Sequence, residues 1–135
     1  MSKFLSTKYS TSAFNFGMLV LRFMTGVLLM SHGYTKLVGF SEMQNTFYNF
    51  MGLGSTVSLV LIIFAEFFCS IFLILGLFTR FACIPIIVAM GVAVFSVSHG
   101  HIFSTGEKGT LFLTMAITIL LCGPGRISVD GMIGK

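Results

Sequence analysis

Apolar positions in this chain of 135 residues gather into long unbroken runs, with polar residues confined to short segments between them. The runs fall near residues 14–34, 55–78, 81–99 and 107–123. A bilayer core needs about 20 helical residues, with about 17 to 25 as the usual range, so the first two runs qualify outright. The third reaches that length with its polar end, SVSHGH, and Pro85 is expected in its first turn, where a missing N–H does no harm. The fourth is short. It is expected to begin before Lys108, whose long side chain can reach the interface. Because backbone polar groups in lipid must be satisfied internally, the pattern predicts an all-α, four-helix transmembrane bundle forming a single domain over residues 1–135. The longest connection, LVGFSEMQNTFYNFMGLGS, carries Phe40, Phe47, Tyr48, Phe50 and Met51, which predict a short amphipathic helix in the first outer loop. LFTRF is tight, so the second and third helices should form a close antiparallel hairpin.

Composition makes lipid the required solvent. Hydrophobic residues make up 56% of the chain and charged ones 9%, against about 25% charged in an ordinary soluble domain. Mean hydropathy is +1.00. The net charge of +4 would suggest nucleic acid in a soluble chain; here no nucleic-acid partner is expected, and the basic residues read as flanks that orient the helices. Lys3, Lys8, Arg80, Arg126 and Lys135 flank one face, against Lys36 and Lys108 on the other, which predicts N-in and C-in. The polar start, MSKFLSTKYSTSAFN, precedes a run too long for a signal peptide, so that run is expected to be retained. Cys69, Cys83 and Cys122 are odd in number, lie in apolar segments and form no C-x-x-C pair, so they read as small buried hydrophobes.

Candidate chemistry begins with Arg22, set in the first run, and Glu66, the one acidic residue inside the second. Counted from the inner ends of their runs at about 1.5 Å per residue, Arg22 lies near 12 Å and Glu66 near 18 Å, a difference a stretched arginine can bridge. Each charge alone is costly in hydrocarbon, so an Arg22–Glu66 pair is expected. Its plain alternative is a lock between two helices. Gly26, Gly33 and Lys36 fall on the same face as Arg22, and His32 lies about 80° away. At the outer mouth, His32 and Lys36 end the first helix, His99 and His101 end the third, and Glu107 and Lys108 open the fourth. Such a vestibule could carry protons or donate hydrogen bonds to a cofactor; as plain structure, its histidines are wet helix ends. The His-x-His pair of His99 and His101 has no further ligand spacing to support a metal or haem, and no metal site is assigned.

In order and spacing these residues resemble the DoxX family of bacterial membrane proteins over about residues 18–130. LRFMTGVLLMSHGYTKLVGF carries Arg22, Gly26, His32, Gly33 and Lys36; AEFFCSIFLILGLFTRFACIPI carries Glu66, Gly76, Thr79 and Arg80; LLCGPGRISVDG carries Gly123, Pro124, Gly125, Arg126, Ser128 and Asp130. The resemblance implies a multi-pass protein of the bacterial inner membrane. The family takes its name from a subunit of a thiosulfate:quinone oxidoreductase, and some relatives associate with superoxide- and thiol-handling partners. This chain lacks the paired cysteines that thiol exchange needs. The last motif should end the fourth helix, with Arg126 capping carbonyls or pairing with Asp130; its alternative is to hold an anionic partner or lipid headgroup.

These readings converge on a redox-associated subunit that interacts with a quinone. Arg22, Glu66, His32 and Lys36 are its candidate catalytic groups, and His99, His101 and Glu107 would bind the cofactor. A protein partner or a second copy of the chain is expected. Two alternatives stand beside it: a non-catalytic accessory or assembly subunit, and a small-solute transporter using Arg22 as its binding charge.

Overall fold

The computed structural model describes residues 2–134, with side chains from residue 4 onward, so Lys3 and Lys135, both used to orient the chain, have side chains outside the described residues. Every element among those residues is helical. In order they are α1 (Ser2–Leu5), α2 (Thr11–Val38), α3 (Phe40–Met43), α4 (Ser55–Leu75), α5 (Thr79–Val97), α6 (Glu107–Cys122) and α7 (Val129–Gly134). The helices α2, α4 and α5 are long and apolar enough to cross a membrane. By contrast α6 has 16 residues, about 24 Å of rise against a hydrocarbon thickness of about 30 Å. It packs along α5 and α2 and starts at Glu107, one residue ahead of Lys108 as expected. The membrane is the protein's solvent, since side chains such as Phe23, Leu28, Val60, Phe64, Ile84 and Val88 stand exposed along the three long helices.

Local chemistry explains most boundaries. Ser10 caps α2, its hydroxyl accepting from the Ala13 N–H at 3.0 Å. Gly39 ends it, and a single turn, α3, follows in the long first loop. Gly76, in the left-handed region at φ 71°, closes α4; the N–H groups of Gly76 and Leu77 return to the carbonyls of Leu73 (3.1 Å) and Phe72 (2.9 Å). Starting at Thr79, α5 leaves Pro85 inside the helix rather than in its first turn, because the helix starts two residues earlier than the apolar run. Two wide π-type turns occur, one at Phe64–Phe68 within α4 and one at Ala93–Val97 closing α5.

The core is assembled from Met18 and Leu29 of α2, Cys69 and Leu73 of α4, Cys83, Ile86 and Met90 of α5, and Phe112, Ala116 and Ile119 of α6. Cys69 and Cys83 are buried as expected, whereas Cys122 is exposed. Contacts of α2 with α4 set the register of everything else. A side chain at Gly26 would meet Ser70 and Ile74, and one at Gly33 would meet Glu66 and Phe67, so the two helices run antiparallel at close quarters. Their ends are not level. With Arg22 beside Leu73 and Gly76, the first turns of α2 project past the end of α4. The C-terminal segment covers that overhang: the Arg126 N–H donates to Asn15 Oδ1 at 3.0 Å, and Gly125 lies against Met18.

Candidate functional site

The overhang decides what Arg22 meets. Its side chain is 1% exposed, and all three of its guanidinium nitrogens donate to backbone carbonyls. Nε bonds Leu73 O at 2.8 Å, Nη1 bonds Pro124 O at 2.6 Å and Nη2 bonds Ile127 O at 2.9 Å. The expected Arg22–Glu66 pair is therefore corrected. Leu73 lies seven residues beyond Glu66, about 10 Å of rise, so the carboxylate is out of the guanidinium's reach. The partners Arg22 takes instead are carbonyls at a helix end and in a loop, that of Leu73 shared with the Gly76 N–H, and a cation suits the negative end of α4. Gly76 forms its seat: a Cβ there would stand 3.0 Å from Arg22 Cζ.

The last motif closes around this seat. Ser128 Oγ donates to Gly125 O and accepts from Gly131 N, and the Asp130 N–H reaches Gly76 O at 2.8 Å. Asp130 does not pair with Arg126. Its Oδ1 accepts from Phe78 N at 2.8 Å and its Oδ2 from Thr79 N at 2.9 Å, so it caps the start of α5 across the chain. Arg126 is exposed and has water as a partner, whereas the part-buried Thr79 N–H depends on the carboxylate. We predict that Asp130→Ala destabilises the protein by about 1–2 kcal/mol in chemical unfolding, because it leaves both N–H groups unpaired.

At the opposite end, where α2 runs into the long loop, Glu66 finds Lys36. Nζ and Oε1 are 2.7 Å apart, with the lysine side chain 21% exposed and the glutamate side chain 7%. The pair follows from three local features. Gly33 brings the α2 backbone against Glu66 and Phe67. The π-type turn at Phe64–Phe68 places Glu66 within it, and such turns recur at functional sites. Lys36 lies one turn past Gly33 and reaches back to the acid. Ser70 steadies the turn by donating to Glu66 O.

The remaining candidates separate. His32, one turn before Lys36, packs its ring edge-on against Phe112 of α6, with centroids 5.7 Å apart and planes at 81°. His99 is exposed with φ 54°, and His101 and Glu107 are exposed in the loop that leads into α6. Among the described residues no three His, Cys, Asp or Glu side chains gather as metal ligands. Of the singled-out residues the structure joins Lys36 to Glu66, while His32 lies one turn before Lys36 and packs on Phe112. Sequence reasoning missed Lys36 as the partner of Glu66, although both were singled out; the shared face of Gly33 and Lys36 was the usable signal.

No curated protein and no solved structure matches the chain. The DoxX family model does match, over residues 17–99, a stretch that holds Arg22, His32, Lys36, Glu66, Arg80 and His99 and stops short of the 123–130 motif. On that match, which covers more than half of its length, the chain belongs to the DoxX family.

Proposed function

We propose that this protein is a redox-associated subunit of the bacterial inner membrane, N-in and C-in, in which α6 serves as the fourth crossing and the Lys36–Glu66 pair meets a quinone headgroup. The observation that carries the reading is the pair itself: an acid and a base 2.7 Å apart on membrane-embedded helices, the base still partly exposed. Buried ion pairs rarely improve on packed apolar residues for stability, which leans this one toward chemistry.

The residues fit such a group. Lys36 uses one donor on Glu66 and keeps others for a carbonyl oxygen, and His32 stands one turn away on the same helix. A bound quinone supplies two-electron redox chemistry coupled to proton uptake. Lys36 would orient the headgroup and hold a proton at Nζ, Glu66 would keep that proton in place through Oε1, and His32 would pass protons to the loop end. Arg22 has no part in this, because it lies toward the other end of α2 with each of its three nitrogens bonded to a carbonyl. The transport reading thereby loses its binding charge. A non-catalytic accessory subunit remains the second reading, favoured by the structural use of that arginine.

The test uses thermal unfolding of the purified protein with menaquinone and ubiquinone analogues. Lys36→Met alone should be the worse single change, because it strands a carboxylate that is 7% exposed, whereas Glu66→Leu leaves a lysine able to extend toward the loop end. The double variant Lys36→Met/Glu66→Leu should fold close to the parent and lose protection by the analogues. Protection that is absent in the parent, or unchanged in the double variant, returns the protein to the accessory reading.

A further inference from the structure

Between the hairpin turn and the C-terminal segment lies an open cleft of about 350 Å³, lined by Phe78, Thr79, Arg80, Phe81, Gly123 and Asp130 among others. A second, of about 630 Å³, adjoins it, shares Asp130 and Pro124, and is lined by Arg126. Thr79 opens α5 in the first cleft. It is 0% exposed, and its Oγ1 is the one buried side-chain polar atom without a hydrogen-bond partner among the described residues. Such a hydroxyl is uncommon in a folded protein and calls for a partner.

The charges around it are uneven. Arg80 lies against Gly123, where a Cβ would stand 2.8 Å from Nη2 and 3.3 Å from Cζ, so its guanidinium is held along the cleft wall. Neither Arg80 nor Arg126 has a carboxylate partner among the described residues. Both oxygens of the one acid in the clefts, Asp130, already accept backbone N–H groups. Two guanidinium groups therefore line this space beside a single carboxylate that two backbone N–H groups hold in place, and the unpartnered Thr79 hydroxyl lies buried in its wall. The surrounding surface is apolar: Phe78, Phe81 and Leu121 are strongly exposed. A free anion gains nothing from such a rim, whereas an amphiphile does.

We propose that this cleft binds the phosphate group of an anionic phospholipid. Arg80 is its charged donor, Arg126 adds charge from the adjoining cleft, Thr79 Oγ1 supplies a neutral hydrogen bond, and the acyl chains run past Phe81 and Leu121.

The full chain in detergent, titrated with dioleoylphosphatidylglycerol, dioleoylphosphatidylcholine or inorganic phosphate and read by native mass spectrometry, tests this. One phosphatidylglycerol should be retained, about tenfold more tightly than phosphatidylcholine. Arg80→Gln should weaken retention by about tenfold and Arg126→Gln or Thr79→Val by about threefold, with Arg80→Lys closer to the parent than Arg80→Gln. Equal retention of the two lipids overturns the proposal, as does displacement of phosphatidylglycerol by equimolar inorganic phosphate, which would make the ligand a soluble anion. If Arg80→Gln does not fold, the exposed Arg126 and the near-isosteric Thr79→Val carry the test, and unchanged phosphatidylglycerol retention in both overturns it.

Discussion

Arg22→Met is expected to lower the unfolding free energy in detergent by about 3–5 kcal/mol, because it removes a buried charged donor and leaves the carbonyls of Leu73, Pro124 and Ile127 short of partners at once. Those carbonyls belong to the end of α4 and to the segment that closes the molecule, so the loss falls on the join between them. Leu73 O keeps its bond from the Gly76 N–H, which limits the damage there. The loop carbonyls of Pro124 and Ile127 bear most of it. Arg22→Lys should recover less than half of the loss, since an ammonium group cannot reproduce a planar fork aimed at three oxygens. Gly76→Ala should resemble a milder Arg22→Met: the left-handed φ of 71° strains any side chain, and the new methyl would press on both Arg22 and Ser128. Exposed Arg126→Met serves as the control, within about 0.5 kcal/mol of the parent. Melting curves for Arg22→Met that overlay the parent's would show that the guanidinium does not hold the join.

The elements of the fold were legible because lipid imposes a length on each apolar run. Helices α2, α4 and α5 sit where the runs put them, and the tight LFTRF turn makes the hairpin expected of it. Their register was not legible. Depth counted from run ends assumes that neighbouring helices end in one plane, and α2 breaks that assumption by projecting past α4. Only the facing contacts at Gly26 and Gly33 reveal the offset, and a glycine in a single sequence does not say which backbone it meets. The π-type turn that places Glu66 is equally silent, since FAEFF reads as ordinary helix.

The two mispaired charges share one cause. Reasoning from side chains matched Arg22 with Glu66 and offered Asp130 as one of two partners for Arg126, the opposite charges at hand. In a dry interior the most numerous unpaired groups are backbone ones at helix ends, and both Arg22 and Asp130 went to those. That leaves Lys36 to Glu66, and leaves Arg80 and Arg126 free of carboxylates among the described residues.

Gly33→Leu is expected to separate α2 from α4 and to break the Lys36–Glu66 pair without touching either residue. A Cβ at Gly33 would stand 2.7 Å from Phe67 N and 2.8 Å from Glu66 C, both backbone atoms that no rotamer change can move aside. Even Gly33→Ala should therefore cost about 1–3 kcal/mol as overpacking, and leucine more. At Gly26 the nearest atom is the Ile74 side chain, at 2.7 Å, but the backbone Ser70 O stands at 2.9 Å and cannot turn aside, so Gly26→Ala should also destabilise. Gly17 meets nothing within 4 Å on the same helix, and there alanine should stabilise by up to about 1 kcal/mol through propensity alone. The decisive measurement is a double-mutant cycle between Lys36 and Glu66, run in the parent and again in Gly33→Ala. Coupling should be clear in the parent, where the groups stand 2.7 Å apart, and should fall toward zero once the helices are forced apart. Undiminished coupling in the alanine background would mean that the lysine follows the acid wherever the helix goes, and that close approach at Gly33 is not what makes the pair.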